Sequence, residues 1–355
     1  MFKRHGSTRS GYAIIYPAKP RWTILYERSK PSVNISRQTH LIDWSKPIIK
    51  VDVKDKILGV AGISVILAVG PASKYLLEKL PKIENLRVME VEHKIFPDGE
   101  SYIRFPEDVS GEDLIVLQGT HPPQDRHLIQ AILIGENSLD LGARSIILIS
   151  PYLAYARQDK RFLDGEAVSI KTILKIFRQV GYSKIYTINI HSPWIADESP
   201  IPLIDLRAEK ILAQYLKEVG LGDSFIVSMG KKGEEMASMV AEELNTSYAS
   251  AESSRDRKTG EVKIELEEIS AEKAVVVDDI ISTGGTMASV IRELKKMGVK
   301  SVYAACVHAL LVGGAVEKIM GSGAERIIAS DTIPNSYVEY SIVKLVEEAI
   351  RRELR

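Results

Sequence analysis

Asp278 and Asp279, followed by Ser282-Thr283-Gly284-Gly285-Thr286, are the residues of this 355-residue chain best suited to chemistry. Adjacent carboxylates can accept hydrogen bonds from vicinal sugar hydroxyls or hold a divalent cation. Glycines let backbone N–H groups turn toward an anion with no Cβ in the way, and a helix N-terminus adds favourable partial charge. The combination suits a sugar phosphate better than phosphate alone. A plainer reading has the acids cap a helix and the glycines make a turn. It does not explain why an apolar run, an acid pair and ordered hydroxyls occur together.

Three further stretches carry candidate residues. Lys94–Arg104 places Phe96, Asp98, Glu100 and Arg104 on one tight loop. It reads either as a Pro-Asp-Gly turn or as a clasp in which a purine stacks on Phe96 and a carboxylate accepts from its amine. Pro151–Phe162 contains Arg157, Gln158, Asp159, Lys160 and Arg161 among aromatics. That is either a basic surface turn or a contact for a nucleotide polyphosphate. His191 is either a structural histidine or a ligand for metal or phosphate, and its place just after the apolar run KIYTINI raises the second reading.

The elements that must position these residues follow from the hydrophobic pattern. Ala274–Val277 is an apolar run without alternation, as in a central strand buried on both faces, and it is expected to end at the acid pair. Val290, Ile291, Leu294 and Met297 then recur at helical spacing. Upstream, strands are expected at SVILAVG, Leu86–His93, Asp113–Gln118, Ser145–Ser150 and Lys184–Ile190. The helices between them are PASKYLLEKL, Gln124–Leu141 and Ala167–Val180. A comparable series restarts with a helix over Leu206–Gly220, a strand at Phe225–Met229 and a helix over Glu234–Leu244. It closes with an amphipathic helix over Ile342–Leu354. The fold class is α/β, with two similar domains, each a mostly parallel sheet flanked by helices. The domains are expected at 61–205 and 206–340, meeting near Ser199–Asp205, where PIPLID breaks both periods. A C-terminal helix, 341–355, packs on the N-terminal domain. Open parallel sheets bind ligands beyond the carboxyl ends of their strands, where the candidate loops lie.

Residues 1–60 differ: basic, aromatic in places and without sustained periodicity. They read as a small extra element or as a stretch upstream of a natural start near Val60–Val65. Lys and Arg number 47, as do Asp and Glu, so no global field draws the chain to nucleic acid or membrane. The single cysteine, Cys306, in an apolar run, permits no internal disulfide and fits a reducing cytoplasm. No apolar stretch approaches 18 residues.

KIFPDGESYIR, GTHPPQDRHLIQ, PYLAYARQDKRF, NIHSP and VVVDDIISTGGT, in that order, resemble the ribose-phosphate pyrophosphokinase family within the type I phosphoribosyltransferase superfamily. The resemblance runs from about Val65 to the end, about four fifths of the chain. FPDGE and ARQDKRF are expected of the synthetases and not of ordinary phosphoribosyltransferases. Archaeal-type members look nearest, because NIHSPWI lacks a glutamine-rich continuation. The resemblance implies transfer of the diphosphoryl group of ATP to the C1 hydroxyl of ribose 5-phosphate, with Mg2+, giving phosphoribosyl pyrophosphate and AMP. It implies an adenine pocket from Phe96, Asp98 and Glu100 reached from a neighbouring subunit, hence at least a dimer. Arg157, Gln158 and Asp159 would contact the nucleotide, His191 would place metal and phosphates, and Arg255 would act in catalysis. Asp278 and Asp279 would bind the ribose hydroxyls, and Ser282, Thr283, Gly284, Gly285 and Thr286 the 5-phosphate.

Two positions depart from the family pattern. Gly230, in SMGKKGE, stands where the pyrophosphate loop carries an aspartate, and Ser253 stands where the catalytic loop carries a lysine. Glu234 is the nearest acid to replace the first, and Arg257 or Lys258 the nearest cations to replace the second. The readings beside an active synthetase are a weak or inactive synthetase-like subunit and a phosphoribosyltransferase.

Overall fold

The computed structural model describes residues 13–18, 21–26, 65–255 and 262–354, with side chains described for all but 13–26, 232, 253–255, 262 and 263. The chain divides into two compact units, Met1–Gly62 and Ile63–Arg355. In the first, β1 (Ala13–Ala18) pairs antiparallel with β2 (Arg21–Tyr26). The remainder of the 1–60 extension lies outside the described residues.

The second unit opens with β3 (Val65–Val69), a 3-10 turn at Pro71–Ser73 and α1 (Lys74–Leu77). There follow β4 (Leu86–Glu90), β5 (Glu92–Ile95), β6 (Ser101–Arg104), β7 (Asp113–Leu117), α2 (Gln124–Asp140) and β8 (Ser145–Ser150). Then come α3 (Ser169–Gln179), β9 (Lys184–Ile188), α4 (Ile195–Glu198) and β10 (Leu203–Leu206). Six of these strands form a parallel sheet in the order β10-β9-β8-β7-β3-β4. The run continues with α5 (Glu209–Glu218), β11 (Phe225–Ser228), α6 (Lys231–Leu244), β12 (Tyr248–Ser250), β13 (Glu252–Arg255) and β14 (Val262–Glu265). After β15 (Lys273–Ile281) come α7 (Gly285–Lys296), β16 (Ser301–Ala309), α8 (Ala315–Gly321), β17 (Ala324–Ser330), β18 (Val338–Tyr340) and α9 (Val343–Glu353). A second six-stranded parallel sheet has the order β12-β11-β15-β16-β17-β18.

Parallel strands covered on both faces read as continuous apolar runs, and Ala274–Val277 and Ile66–Ala68 are wholly buried. Helix α3 buries Ile170, Ile173, Leu174 and Phe177, the i, i+3, i+4, i+7 stripe that a sheet-facing helix presents. One apolar cluster joins the two sheets: Leu67, Ile115 and Tyr186 of the first pack with Val275, Val277 and Ala305 of the second and with Val346 and Ile350 of α9. Helix α9 is also fastened to β9. Lys184 Nζ donates to Glu353 Oε1 at 2.7 Å, and the Tyr186 hydroxyl donates to the same carboxylate.

Several expected elements differ. PASKYLLEKL forms only a 3-10 turn and one α turn, because Pro81 disfavours helix in the residue before it. The expected strand Leu86–His93 divides into β4 and the exposed β5, which turns back as a hairpin with β6. PIPLID is not without structure: from Leu203 it pairs with β9, and Leu203–Leu206 is the edge strand β10 of the first sheet, while the following helix starts only at Glu209.

His308, at the end of β16, is 2% exposed and fastens one half to the other. Its Nε2–H points at the Ile188 carbonyl at 2.9 Å, and its Nδ1 lies 2.9 Å from Thr332 Oγ1. Burial, with only partial offset from nearby Asp279, lowers its pKa from 6.5 to about 4. With the folded value depressed, this group's contribution is complete above about pH 6.5 and is lost as pH falls through about 4. At ~1.4 kcal/mol per unit, the loss amounts to ~3 kcal/mol. Urea titrations at pH 7, 5.5 and 4 check this: stability should fall less steeply with acid in His308→Gln than in the parent. Equal slopes would exclude His308 as the source.

Candidate active site

Strand β15 does not end at the acid pair. It runs on to Ile281 because β16 pairs beside it throughout, with Asp278 opposite Cys306 and Ile281 opposite Ala309. Asp278 and Asp279 therefore sit on a rigid, paired backbone near the carboxyl end of a central strand. Asp278 lies beside the first turn of α6, where a Cβ on Gly233 would be 3.9 Å from its Oδ1. Asp279 Oδ2 accepts from His191 Nδ1 at 2.6 Å. The two carboxyls respond oppositely to one environment. Burial, with the charge of Asp279, pushes Asp278 well above the usual carboxylate range. Burial also pushes Asp279 upward, but the hydrogen bond and charge of His191 outweigh it and hold Asp279 below that range.

The loop after β15 is a formed cradle. Gly284 caps α7 at φ +70°, and a Cβ there would lie 3.0 Å from the Ala315 carbonyl and 3.1 Å from Ile319 Cδ1. Conformation and space both require glycine at this position. Gly285 opens the helix with nothing within 4 Å of where a Cβ would be, so its backbone is approachable. The opening N–H groups of a helix have no intrahelical partner. Met287, Val290, Ile291 and Leu294 anchor the helix in the core behind them. Lys318 was missed in the sequence. Its Nζ donates to the Gly313 carbonyl at 2.7 Å and the Thr283 carbonyl at 3.3 Å, bringing a cation to the cradle's rim. It lies 35 residues beyond the motif on a short helix, so spacing alone gave no signal.

The first sheet delivers its own loops to the same place. The turn after β8 packs beside the end of β15, and the Arg157 charge acts weakly to lower the Asp278 carboxyl against the larger effect of burial. Tyr152 and Ala154 of that turn pack against Ile280 and Ile333. Asp159, expected at the nucleotide, is 6% exposed and accepts from Ser192 Oγ at 2.8 Å. It braces the His191 loop from within. Gln158 remains exposed and accepts from Ser169 Oγ.

Other expected residues are not gathered here. Phe96, Asp98 and Glu100 form the tip of the β5–β6 hairpin, closed by Phe96 N–H to the Glu100 carbonyl at 2.8 Å. Among the described residues their hydrogen bonds and ring contacts stay within that hairpin: Phe96 meets Tyr102 edge-on, and Lys94 Nζ lies 4.7 Å from both ring centres. Ser253 and Arg255 belong to β13, paired antiparallel with β14, and their side chains lie outside the described set, as do Arg257 and Lys258. Helix α6 starts at Lys231, three residues before the expected Glu234, because Gly230 caps it at φ +101°, ψ 171°. That backbone conformation is essentially glycine-only.

Residues 65–181 match the family described as the N-terminal domain of ribose phosphate pyrophosphokinase, and residues 200–322 match the phosphoribosyl transferase domain. Ribose-phosphate pyrophosphokinase of Saccharolobus solfataricus is 42% identical over 267 residues, 74% of this chain and 91% of the relative. That of Sulfurisphaera tokodaii is 38% identical over 290 residues, 80% of this chain and 98% of the relative. The crystal structure of phosphoribosylpyrophosphate synthetase from Mycobacterium smegmatis superposes with a TM-score of 0.73 at 25% identity, covering 82% of this chain and 99% of the other. Two paired domain matches, relatives aligned over nearly their whole length and a shared two-sheet architecture lead to one assignment: the chain belongs to the ribose-phosphate pyrophosphokinase family.

Proposed function

We propose that the chain transfers the diphosphoryl group of ATP to the C1 hydroxyl of ribose 5-phosphate, giving phosphoribosyl pyrophosphate and AMP for nucleotide biosynthesis in the cytoplasm. The observation that carries this reading is the contact of His191, from a loop of the first sheet, with Asp279 of the acid pair on the strand that leads into a glycine-capped cradle. An acceptor sugar phosphate and a polyphosphate donor both find partners there. Ser282, Thr283, Gly284, Gly285 and Thr286 take the 5-phosphate, and Asp278 and Asp279 take the ribose hydroxyls. Arg157 and Gln158 take the nucleotide, with Asp159 bracing the loop, and Lys318 joins the phosphate site. Arg255, carried by β13, is the expected catalytic cation.

In the reaction, the C1 oxygen attacks the β-phosphorus and loses its proton, while the bond from that phosphorus to the α,β-bridging oxygen breaks and AMP leaves. Positioning and charge neutralisation dominate such transfers. Among the described residues no three His, Cys, Asp or Glu side chains are grouped to hold a metal ion. Mg2+ prefers oxygen ligands and keeps waters and substrate phosphates, so the donor set fits an ion shared with the polyphosphate beside Asp278, Asp279 and His191. Bound there, Mg2+ would neutralise polyphosphate charge. With Nδ1 on Asp279, the imidazole keeps Nε2 for a ligand. The exposed hairpin tip supports an adenine pocket of Phe96, Asp98 and Glu100 contributed to a second copy, and so at least a dimer.

Incubating the purified protein with ATP, Mg2+ and ribose 5-phosphate should produce AMP only when the sugar phosphate is present; intact nucleotide binding without turnover would favour a non-catalytic subunit. Asp279→Asn should lower kcat/KM for ribose 5-phosphate roughly 100-fold, the scale of one lost electrostatic stabiliser, and unchanged kinetics would remove Asp279 from the site. Gly230→Asp should cost about 1–3 kcal/mol in backbone strain. Thermal melting reads that cost, and a variant that gains activity by orders of magnitude would show that an acid is missing there.

A further inference from the structure

The geometry points to Asn189 and Glu209 as a positioning pair that sets the His191 loop. Asn189 sits two residues before His191 at φ +39°, in the left-handed region that asparagine tolerates better than most side chains. Both side-chain ends are engaged. Oδ1 accepts from the Ala208 N–H at 2.8 Å, and Nδ2 donates to Glu209 Oε1 at 2.7 Å. Glu209 is wholly buried, and its Oε1 also takes Arg207 Nε at 3.1 Å and Nη2 at 2.7 Å. Its Oε2 has no partner among the described residues. All of the carboxylate's hydrogen bonding is therefore concentrated on the oxygen that holds Asn189 and Arg207.

The same backbone is gripped at every neighbouring peptide. Asn189 N–H donates to the Leu206 carbonyl at 2.9 Å, Ile190 N–H donates to Asp205 Oδ1 at 2.9 Å, and the Ile188 carbonyl receives His308. A stretch that only had to leave a strand would need none of this. What the restraints fix in common is the departure angle of the chain into His191, and hence the 2.6 Å contact with Asp279. Among the described residues the hydrogen bonds of Asn189 and Glu209 go to neither the acid pair nor the cradle, so the pair acts through His191. Outer partners of this kind typically change activity by 10–100-fold when removed.

This inference rests on the assignment of His191 to the reacting site, and its test separates the two. Asn189→Gly keeps the backbone conformation accessible and removes the side chain. It should lower kcat ~10–100-fold with KM for ATP changed by less than about threefold. Glu209→Leu should give a similar loss, and combining the two should be no worse than either alone, as for a coupled pair. Glu209→Gln, able to keep an acceptor oxygen toward Asn189 and Arg207, should recover most of the activity lost in Glu209→Leu. Nitrogen-15 spectra of the imidazole in ligand-free protein give a readout independent of turnover. The His191 Nδ1 signal should move in Asn189→Gly and Glu209→Leu and stay near its parent position in Glu209→Gln. If the parent makes no AMP, the functional reading fails while the imidazole signal still decides the positioning claim. A folded Asn189→Gly with parental kcat and an unmoved His191 signal overturns it. Should Asn189→Gly fail to fold, Asn189→Asp keeps the acceptor for Ala208 and sets a second carboxylate against Glu209; the same two readouts apply, and no change in either overturns the proposal.

Discussion

The contact between His191 Nδ1 and Asp279 Oδ2 is made by two residues 88 positions apart, carried by different sheets. Neither sheet alone can build it. Its geometry depends on the apolar cluster between the sheets, where β3, β7 and β9 meet β15, β16 and α9. Burying one large aliphatic side chain stabilises by about 1.5–3 kcal/mol, and this cluster buries many such side chains from both sheets and α9. A side-chain hydrogen bond is worth about 1 kcal/mol net. The polar contact is thus a consequence of apolar packing and reports on it. Tyr75, whose hydroxyl donates to the Asp331 carbonyl at 2.8 Å, and Lys79, 2.7 Å from the Asp331 carboxylate, fasten the halves at a second place.

The charge pattern is local in the same sense. A chain with equal numbers of acids and cations has no long-range pull on a polyanion. What it has is an acid pair split by its surroundings, with a histidine holding one member low while burial and its neighbour push the other up. Helix α7 starts shortly after the strand that carries that pair, and Lys318 stands at the rim of the loop between them. Attraction for a polyanion is therefore local, reaching no further than about a Debye length, ~8 Å at physiological salt.

Much of this was readable in the residues. Continuous apolar runs marked the buried strands, and loops after them carried Arg157, His191 and the acid pair to one end of the sheets. The small residues and glycines of Ser282–Thr286 marked the turn from a strand into a helix, where β15 passes into α7. Elements whose cause lies in a neighbour were not readable. Asp278 and Asp279 look like a strand end until β16 is placed alongside. Leu203–Leu206 looks like a break until β9 supplies a pairing partner. Asp159 reads as a ligand contact because its motif is polar, yet its partner Ser192 is 33 residues away. Lys318, Asn189 and Glu209 carry no local signature, since each acquires its role from a carbonyl or side chain that only the fold brings near.

The passage from β10 to α5 carries one more consequence. Between Leu206 and Glu209 there is no slack. Leu206 is still in the first sheet and accepts from Asn189, Ala208 donates to Asn189, and Glu209 already begins the next helix. A hinge needs a few residues free to change their dihedral angles, and here those residues are engaged in holding the site histidine. The two halves cannot swing about this crossing without dismantling the loop they serve. Relative motion of the two halves would have to arise elsewhere, because this crossing and the His191–Asp279 contact are held by the same residues.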